Sequence, residues 1–304
     1  MERSDFLLMA LLLTVLGTSM YILWLNLPTE TVVYQPVQTT PLKPVSSSSV
    51  VQFYPSMRYR NSVITYFMDP QCSKARRQRI LEAFAILSTR TPLVFYESNS
   101  SAELQVLCSE VRVDPSIEDH FVAGEGGPVE IINATRYHVI FAGKISLYRD
   151  DVCDKPNIAL HEILHALGFD HTNSTGSIMY PVTNCDQTLD PSIIKALGDL
   201  YRDPSLPDVF LNEVQANKTG RYLSFSMNVS NYGLKDATDV ILQISADGSF
   251  VQQFNLTSLP IGIRKTLSVH NLRVPSDTSQ LFFNVSENEP DLDESNNHLS
   301  LTLG

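Results

Sequence analysis

The chain has 304 residues, 43% apolar and 18% charged, with a formal net charge of −11. That length suits two domains better than one, and its apolar content excludes a largely disordered chain. None of the regions 1–50, 51–206 and 207–304 is net basic, so a nucleic-acid partner is not expected.

Residues 1–27 predict a signal anchor or signal peptide. The 22 residues from Phe6 to Leu27 carry no charge, enough for a helix to cross about 30 Å of hydrocarbon. Gly17-Thr18-Ser19 could serve as a cleavage site, but Tyr21 to Leu25 extend the apolar run past it. A secretory signal has a shorter core of roughly 7–15 residues, so an uncleaved transmembrane helix is favoured. Arg3 precedes the run, and no Lys or Arg follows until Lys43. By the positive-inside rule this expects a single-pass protein with its body outside the cell, or a secreted one if the segment is cleaved. Residues 28–50, rich in Pro, Ser and Thr, read as an extended linker. Sequons at Asn99, Asn133, Asn173, Asn217, Asn228, Asn255 and Asn284 suit an extracellular glycoprotein.

Residues 51–206 mix strands and helices. Strands are predicted at Ser62–Phe67, Pro92–Tyr96, Ala102–Leu107, Val129–Ile132 and Tyr137–Phe141. Helical spacing covers Ser73–Leu87, with Ile80, Phe84 and Leu87 inward, and Pro156–Gly168. It returns at Pro191–Tyr201, with Ile194, Leu197 and Tyr201 as the buried stripe. Lys74, Arg76, Arg77 and Arg79 read as a solvated helix face. The order implies an α/β or α+β layer, and Asp203 to Pro207 marks its end.

From residue 207 to 304 the apolar period becomes two. Leu223, Phe225, Met227 and Val229 alternate with polar residues, as do Leu242 and Ile244, and Leu299, Leu301 and Leu303. Turn signals at Asn231-Tyr232-Gly233 and Asp247-Gly248 complete the pattern of an all-β, immunoglobulin-like sandwich. The turn at 228–233 and the stretch Asp293-Glu294-Ser295-Asn296-Asn297 resemble CARDB-type modules of prokaryotic surface proteins, over Asn212–Leu303. The resemblance implies a module that binds a surface polymer or protein, or a spacer. The acidic turn at 291–297 could hold calcium, but it lacks EF-hand spacing.

The chemistry is concentrated in His161-Glu162-Ile163-Leu164-His165-Ala166-Leu167-Gly168-Phe169-Asp170-His171. On a helix, i and i+4 share a face, so His161 and His165 can grip one zinc ion. Gly168 can end the helix in a left-handed conformation and let the chain return with His171 as third ligand. Three protein ligands leave a fourth position for water, the catalytic arrangement. Glu162 can act there as general base in hydrolysis by a zinc-activated water.

The eleven-residue form HExxHxxGxxH, with Ser177-Ile178-Met179-Tyr180-Pro181 downstream, resembles the metzincin proteases and most closely their matrixin branch. The resemblance spans roughly Ser62–Tyr201 and is strong over 158–181. It implies an α+β domain with a mixed sheet and a zinc-binding helix. It also implies a turn carrying Met179 beneath the metal, and an S1′ pocket lined by Pro181, Val182 and Thr183. An extended protein or peptide substrate would be bound along an edge strand, placed at Pro128–Ile132 after Gly124-Glu125-Gly126-Gly127, a run that reads equally as a glycine-rich surface turn.

Three departures qualify the resemblance. No PRCGxPD-like segment precedes the domain, so a cysteine switch is not expected. The H-x-D elements of an additional structural zinc are absent, and His120 and His138 do not replace them, so one zinc ion is expected. Thr172 replaces the usual serine after the third histidine. Four cysteines allow three connectivities. Cys153–Cys185 is favoured because the two flank the zinc helix and the Met179 turn, leaving Cys72–Cys108. Zinc binding by these cysteines is the weaker alternative, since no C-x-x-C occurs. The expectation is thus an extracellular zinc endopeptidase. The rival is a non-catalytic adhesion protein on a degenerate protease scaffold.

Overall fold

The computed structural model describes residues 3–25, 27–36, 50–99, 101–109 and 122–303. Helix α1 (Arg3–Leu25) stands apart, and its Leu8–Leu25 window has a mean hydropathy of 2.0 with no burial against the rest of the chain. It is apolar on every side, unlike a helix that packs one face on a core.

The first globular unit is built on a mixed sheet. Strands β2 (Met57–Tyr59), β3 (Val63–Met68), β4 (Val94–Glu97), β5 (Leu104–Cys108) and β7 (Tyr137–Leu147) run parallel in the order β2-β7-β5-β3-β4. Strand β6 (Gly124–Ala134) adds antiparallel to β7. Helices α2 (Lys74–Arg90) and α3 (Asn157–Ala166) pack with α4 (Pro191–Leu200) around one core. Ile64, Ile80, Leu87, Leu104, Ile140, Ile163 and Leu164 are wholly buried there. Each contributes roughly 1.5–3 kcal/mol by leaving water.

Several sequence expectations shift here. Leu197 of α4 and Tyr201 just after it are buried as expected, Ile193 is buried with them, and Ile194 is half-buried against the same core. The basic run on α2 is not a solvated face. Arg76 donates to Asp150 Oδ1 at 2.8 Å and to the Ser109 and Tyr148 carbonyls. Arg79 donates to the Cys153 carbonyl at 2.7 Å. Both guanidinium forks clamp α2 onto the loop leading to α3, a use of Arg that charge counting does not reveal.

The second unit stacks two antiparallel sheets. Strands β8 (Val209–Thr219), β9 (Tyr222–Asn231) and β12 (Ile263–Arg273) form one. The other contains β10 (Ala237–Ala246), β11 (Ser249–Leu259), β13 (Gln280–Ser286) and β14 (His298–Thr302). Phe225 of one sheet meets Phe283 of the other at 5.4 Å between ring centroids. The expected alternation holds, with Leu223, Phe225, Met227, Val229, Leu242 and Ile244 all buried.

The stretch 28–50, expected as a linker, is in part a strand of this second unit. Strand β1 (Thr29–Pro36) pairs antiparallel with β12, from Thr29 opposite His270 to Pro36 opposite Ile263. Its Thr, Val and Tyr content favours a strand, a signal masked by the surrounding Pro and Ser. Residues 37–49 lie outside the described residues. Of the sequons, Asn228 is closed in the fold. It is buried, its amide donates to Glu213 Oε2 at 2.5 Å, and its oxygen accepts from Thr266.

The two units meet at the β6–β7 hairpin. Ala134, Tyr137 and Val139 form a buried cluster with Leu234 and Ile261 of the sandwich. Tyr137 Oη also donates to Asp203 Oδ2 at 2.5 Å, and Arg136 lies 3.4 Å from the same oxygen. The buried Arg58 stacks 4.4 Å from the Tyr201 ring centre and donates to the Asp203 carbonyl at 3.1 Å.

Candidate metal centre and cleft

Helix α3 starts where Asp151 accepts the Ile158 amide at 2.9 Å and the Cys153 amide at 3.0 Å. It ends at Gly168, whose φ of +95° is open to glycine. A side chain there would also strike Met57 at 2.6 Å. The chain then turns back, as the sequence expected, and carries His171 to the other two histidines.

The three Nε2 atoms converge. His165 lies 3.0 Å from His161 and 3.1 Å from His171, and His171 lies 3.3 Å from His161. The opposite ring nitrogens are committed. His161 Nδ1 donates to the Ile178 carbonyl at 2.6 Å, and His165 Nδ1 donates to the Phe169 carbonyl at 2.8 Å. A carbonyl only accepts, so each Nδ1 carries the proton and each Nε2 presents a lone pair. Lone pairs face each other at this spacing only if a cation or proton sits between them. Burial pushes the His161 imidazole down to about 4, against the Ile178 bond, and His165 and His171 lower it further. Burial also lowers His165. Neutral imidazoles with oriented Nδ1–H groups are what a metal requires.

The triad fits zinc. Tetrahedral Zn–N bonds of about 2.0–2.1 Å set ligand atoms about 3.3–3.4 Å apart, close to the observed spacing. Among the described residues, this is the one group of His, Cys, Asp or Glu side chains that converges closely enough to hold a metal. His138 lies apart from this group, with its Nδ1 2.8 Å from the Pro55 carbonyl. His120 lies outside the described residues.

Met179 is buried in the turn at 177–180, whose Ile178 carbonyl accepts the His161 bond. Ser177 sets that turn, because its hydroxyl accepts the Met179 amide at 3.0 Å and donates to Asp190 Oδ2 at 2.5 Å. Sequence reasoning passed over both Ser177 and Asp190. Asp190 stands before the Pro191 helix and reads as its cap, yet its carboxylate serves the turn instead.

A cleft of about 800 Å³ runs over the triad. It is lined by His161, Glu162, His165 and His171, by Pro181, Val182 and Thr183, and by Gly124, Glu125 and Gly126. The expected pocket residues and the three histidines therefore share one cleft. Its rim on β6 falls at 124–126, however, not at 128–132. The glycine run that suggested a turn is strand, because α3 leaves no room for side chains. A Cβ on Gly126 would stand 2.1 Å from the Glu162 carbonyl oxygen, and one on Gly124 would stand 2.7 Å from Glu162 Cγ. Gln187, also unforeseen and fully buried, ties the loop that carries the pocket residues. It donates to the Val182 carbonyl at 2.9 Å and accepts the Asn184 amide at 3.0 Å.

Burial raises the Glu162 carboxyl to about 8, and the charge of Glu125 adds to the shift. Both bridges form, Cys72–Cys108 and Cys153–Cys185, and no described cysteine is free for metal.

An α+β unit with a three-histidine cleft under an antiparallel edge strand defines the class. Residues 58–202 match the Matrixin family and form a matrixin-like domain. The interstitial collagenase of Oryctolagus cuniculus is 28% identical over 135 residues, which is 41% of this chain and 28% of the collagenase. The matched stretch thus spans under a third of that relative. Two solved structures of a CARDB domain from Pyrococcus furiosus are also similar. The solution structure is 17% identical and the crystal structure, a complex with di-metal ions, 18%. Each covers 31% of this chain at a TM-score of 0.26, with 91% and 84% of the respective structure covered.

Proposed function

We propose that this chain is an extracellular zinc-dependent endopeptidase, held at a membrane by α1, with its sandwich as an adhesion-type or spacer module. The observation that carries the reading is the convergence of the three Nε2 atoms of His161, His165 and His171 beside a buried carboxyl in one open cleft. His161, His165 and His171 would hold one zinc ion. When bound, that ion lowers the pKa of water and polarises a carbonyl.

The chain's own residues do the rest. Glu162 is the general base. Its burial favours the neutral form, while a neighbouring cation favours the carboxylate, so the group is set to exchange protons near neutral pH. It accepts a proton from the attacking water and returns it to the departing amine. The outer edge of β6 at 124–126 would take an extended peptide as an added antiparallel strand. Pro181, Val182 and Thr183 form the pocket wall, which favours an apolar side chain after the scissile bond.

The address follows from α1 and the disulfides. An unburied apolar helix suits a bilayer, and two bridges suit an oxidising compartment. The test is metal analysis together with cleavage of an unfolded protein by the full chain in detergent. One zinc per chain and chelator-sensitive cleavage support the reading. A folded chain that binds no zinc contradicts it.

A further inference from the structure

Strand β6 touches different partners at its two ends. Gly124 and Gly126 lie against Glu162. Ile132 and Ala134 join the buried cluster with Leu234 and Ile261 of the sandwich. Gly262 allows that approach, since a Cβ there would stand 2.4 Å from Ile132 Cγ2. From Gly126 to Ile132 is about 20 Å of strand. Between them the register with β7 shifts at Pro128/Glu130 and again at Glu130/Ile131. Irregularities of this kind bend a strand and re-aim it. Among the described residues β6 pairs with β7 alone. Its cleft end is seated by pairing with β7, from Gly124 opposite Leu147 to Gly126 opposite Ile145, and its far end by the cluster with the sandwich, with the two register shifts between them.

We infer that the sandwich is a positioning module for the cleft. Leu234 and Ile261, acting through Ile132, hold β6 so that its 124–126 edge stands at the height of Glu162 and can receive an extended peptide. These are positioning residues, remote from the reacting atoms. The inference rests on the peptidase reading and deepens it. It assigns the sandwich a part in substrate alignment that a spacer would not have. The salt link of Arg136 to Asp203 and the hydrogen bond from Tyr137 keep the hairpin seated at the same junction.

The test uses the full chain in detergent with Ile261→Asp, and Ile261→Val as the conservative control. Gly262→Val is a second way to wedge the contact should the first variant fail to fold. Hydrogen exchange of the 124–128 amides is read beside steady-state cleavage of a long and a short peptide. The expected result is faster exchange at 124–128 in the wedged variants with α3 unchanged. KM for the long peptide should rise about tenfold, as expected for lost alignment. kcat and metal content should be retained, and Ile261→Val should match the parent. Unchanged exchange and KM, with the hairpin tip at 132–139 opened, would overturn the inference. So would a general loss of α3 protection and metal, which marks a merely structural contact. If the parent cleaves nothing yet exchange at 124–128 still responds, the coupling is supported and the failure falls on the peptidase reading alone.

Discussion

Gly126 and Glu162 are in backbone contact across the cleft rim, so close that a methyl group on Gly126 would stand 2.1 Å from the Glu162 carbonyl oxygen. The edge strand and the helix that carries Glu162 are thereby locked at one spacing. Gly126→Ala must push them apart by about 1 Å, and displacements of that size cost about 10²-fold in rate. We expect kcat/KM on a peptide substrate to fall by that order while zinc content stays at one per chain. Unaltered kinetics would show that the spacing is not critical.

The Met179 turn makes a second prediction. Ser177 holds it through Met179 and Asp190, and the same turn supplies the Ile178 carbonyl that fixes the His161 tautomer. Ser177→Ala leaves the buried Met179 amide without that partner, a cost of about 1–3 kcal/mol. Loss of an outer partner of a metal-binding histidine weakens metal affinity about 10–100-fold. Competition with a chelator should show that loss, together with a lower melting temperature. Parental affinity would mean that Ile178 is held in place without Ser177.

Part of the pH dependence of stability should come from the sandwich, beside the share of Glu162 in the first unit. Burial raises the Glu287 carboxyl to about 8, with Asp291, Glu289 and Asp208 adding to the shift. A carboxyl whose folded pKa exceeds its unfolded value keeps its proton in the fold. Between the unfolded pKa of about 4.3 and the folded value, the native state binds more protons, so stability falls as pH rises through that window. Melting of the full chain should shift downward from pH 5 to pH 8. Glu287→Gln should flatten that slope and gain stability chiefly at the alkaline end. An equal slope in the variant would assign the dependence to other groups.

Much of this architecture was legible in the residues, for identifiable reasons. His161, His165, Gly168 and His171 announce themselves because metal geometry and helix termination each demand a residue type at a fixed interval. The period-two runs of β9 and β10 show because only one face of each sheet is buried. Other parts stayed hidden because their cause is long-range. Gly124 and Gly126 look like a turn until α3 is laid against them. Arg76 and Arg79 look solvated until the 148–154 loop reaches them. Strand β1 is separated from its partner β12 by the whole protease-like unit, a distance that no local pattern encodes.

The central claim is that Glu162 moves the proton in a zinc-dependent hydrolysis. The most direct test compares the full chain with Glu162→Gln for bound zinc and for cleavage of an unfolded protein. The account predicts one zinc in both, cleavage by the parent, and a fall of about 10²–10⁴-fold in kcat for the variant, the usual worth of a general base. Equal cleavage by the two proteins would contradict it.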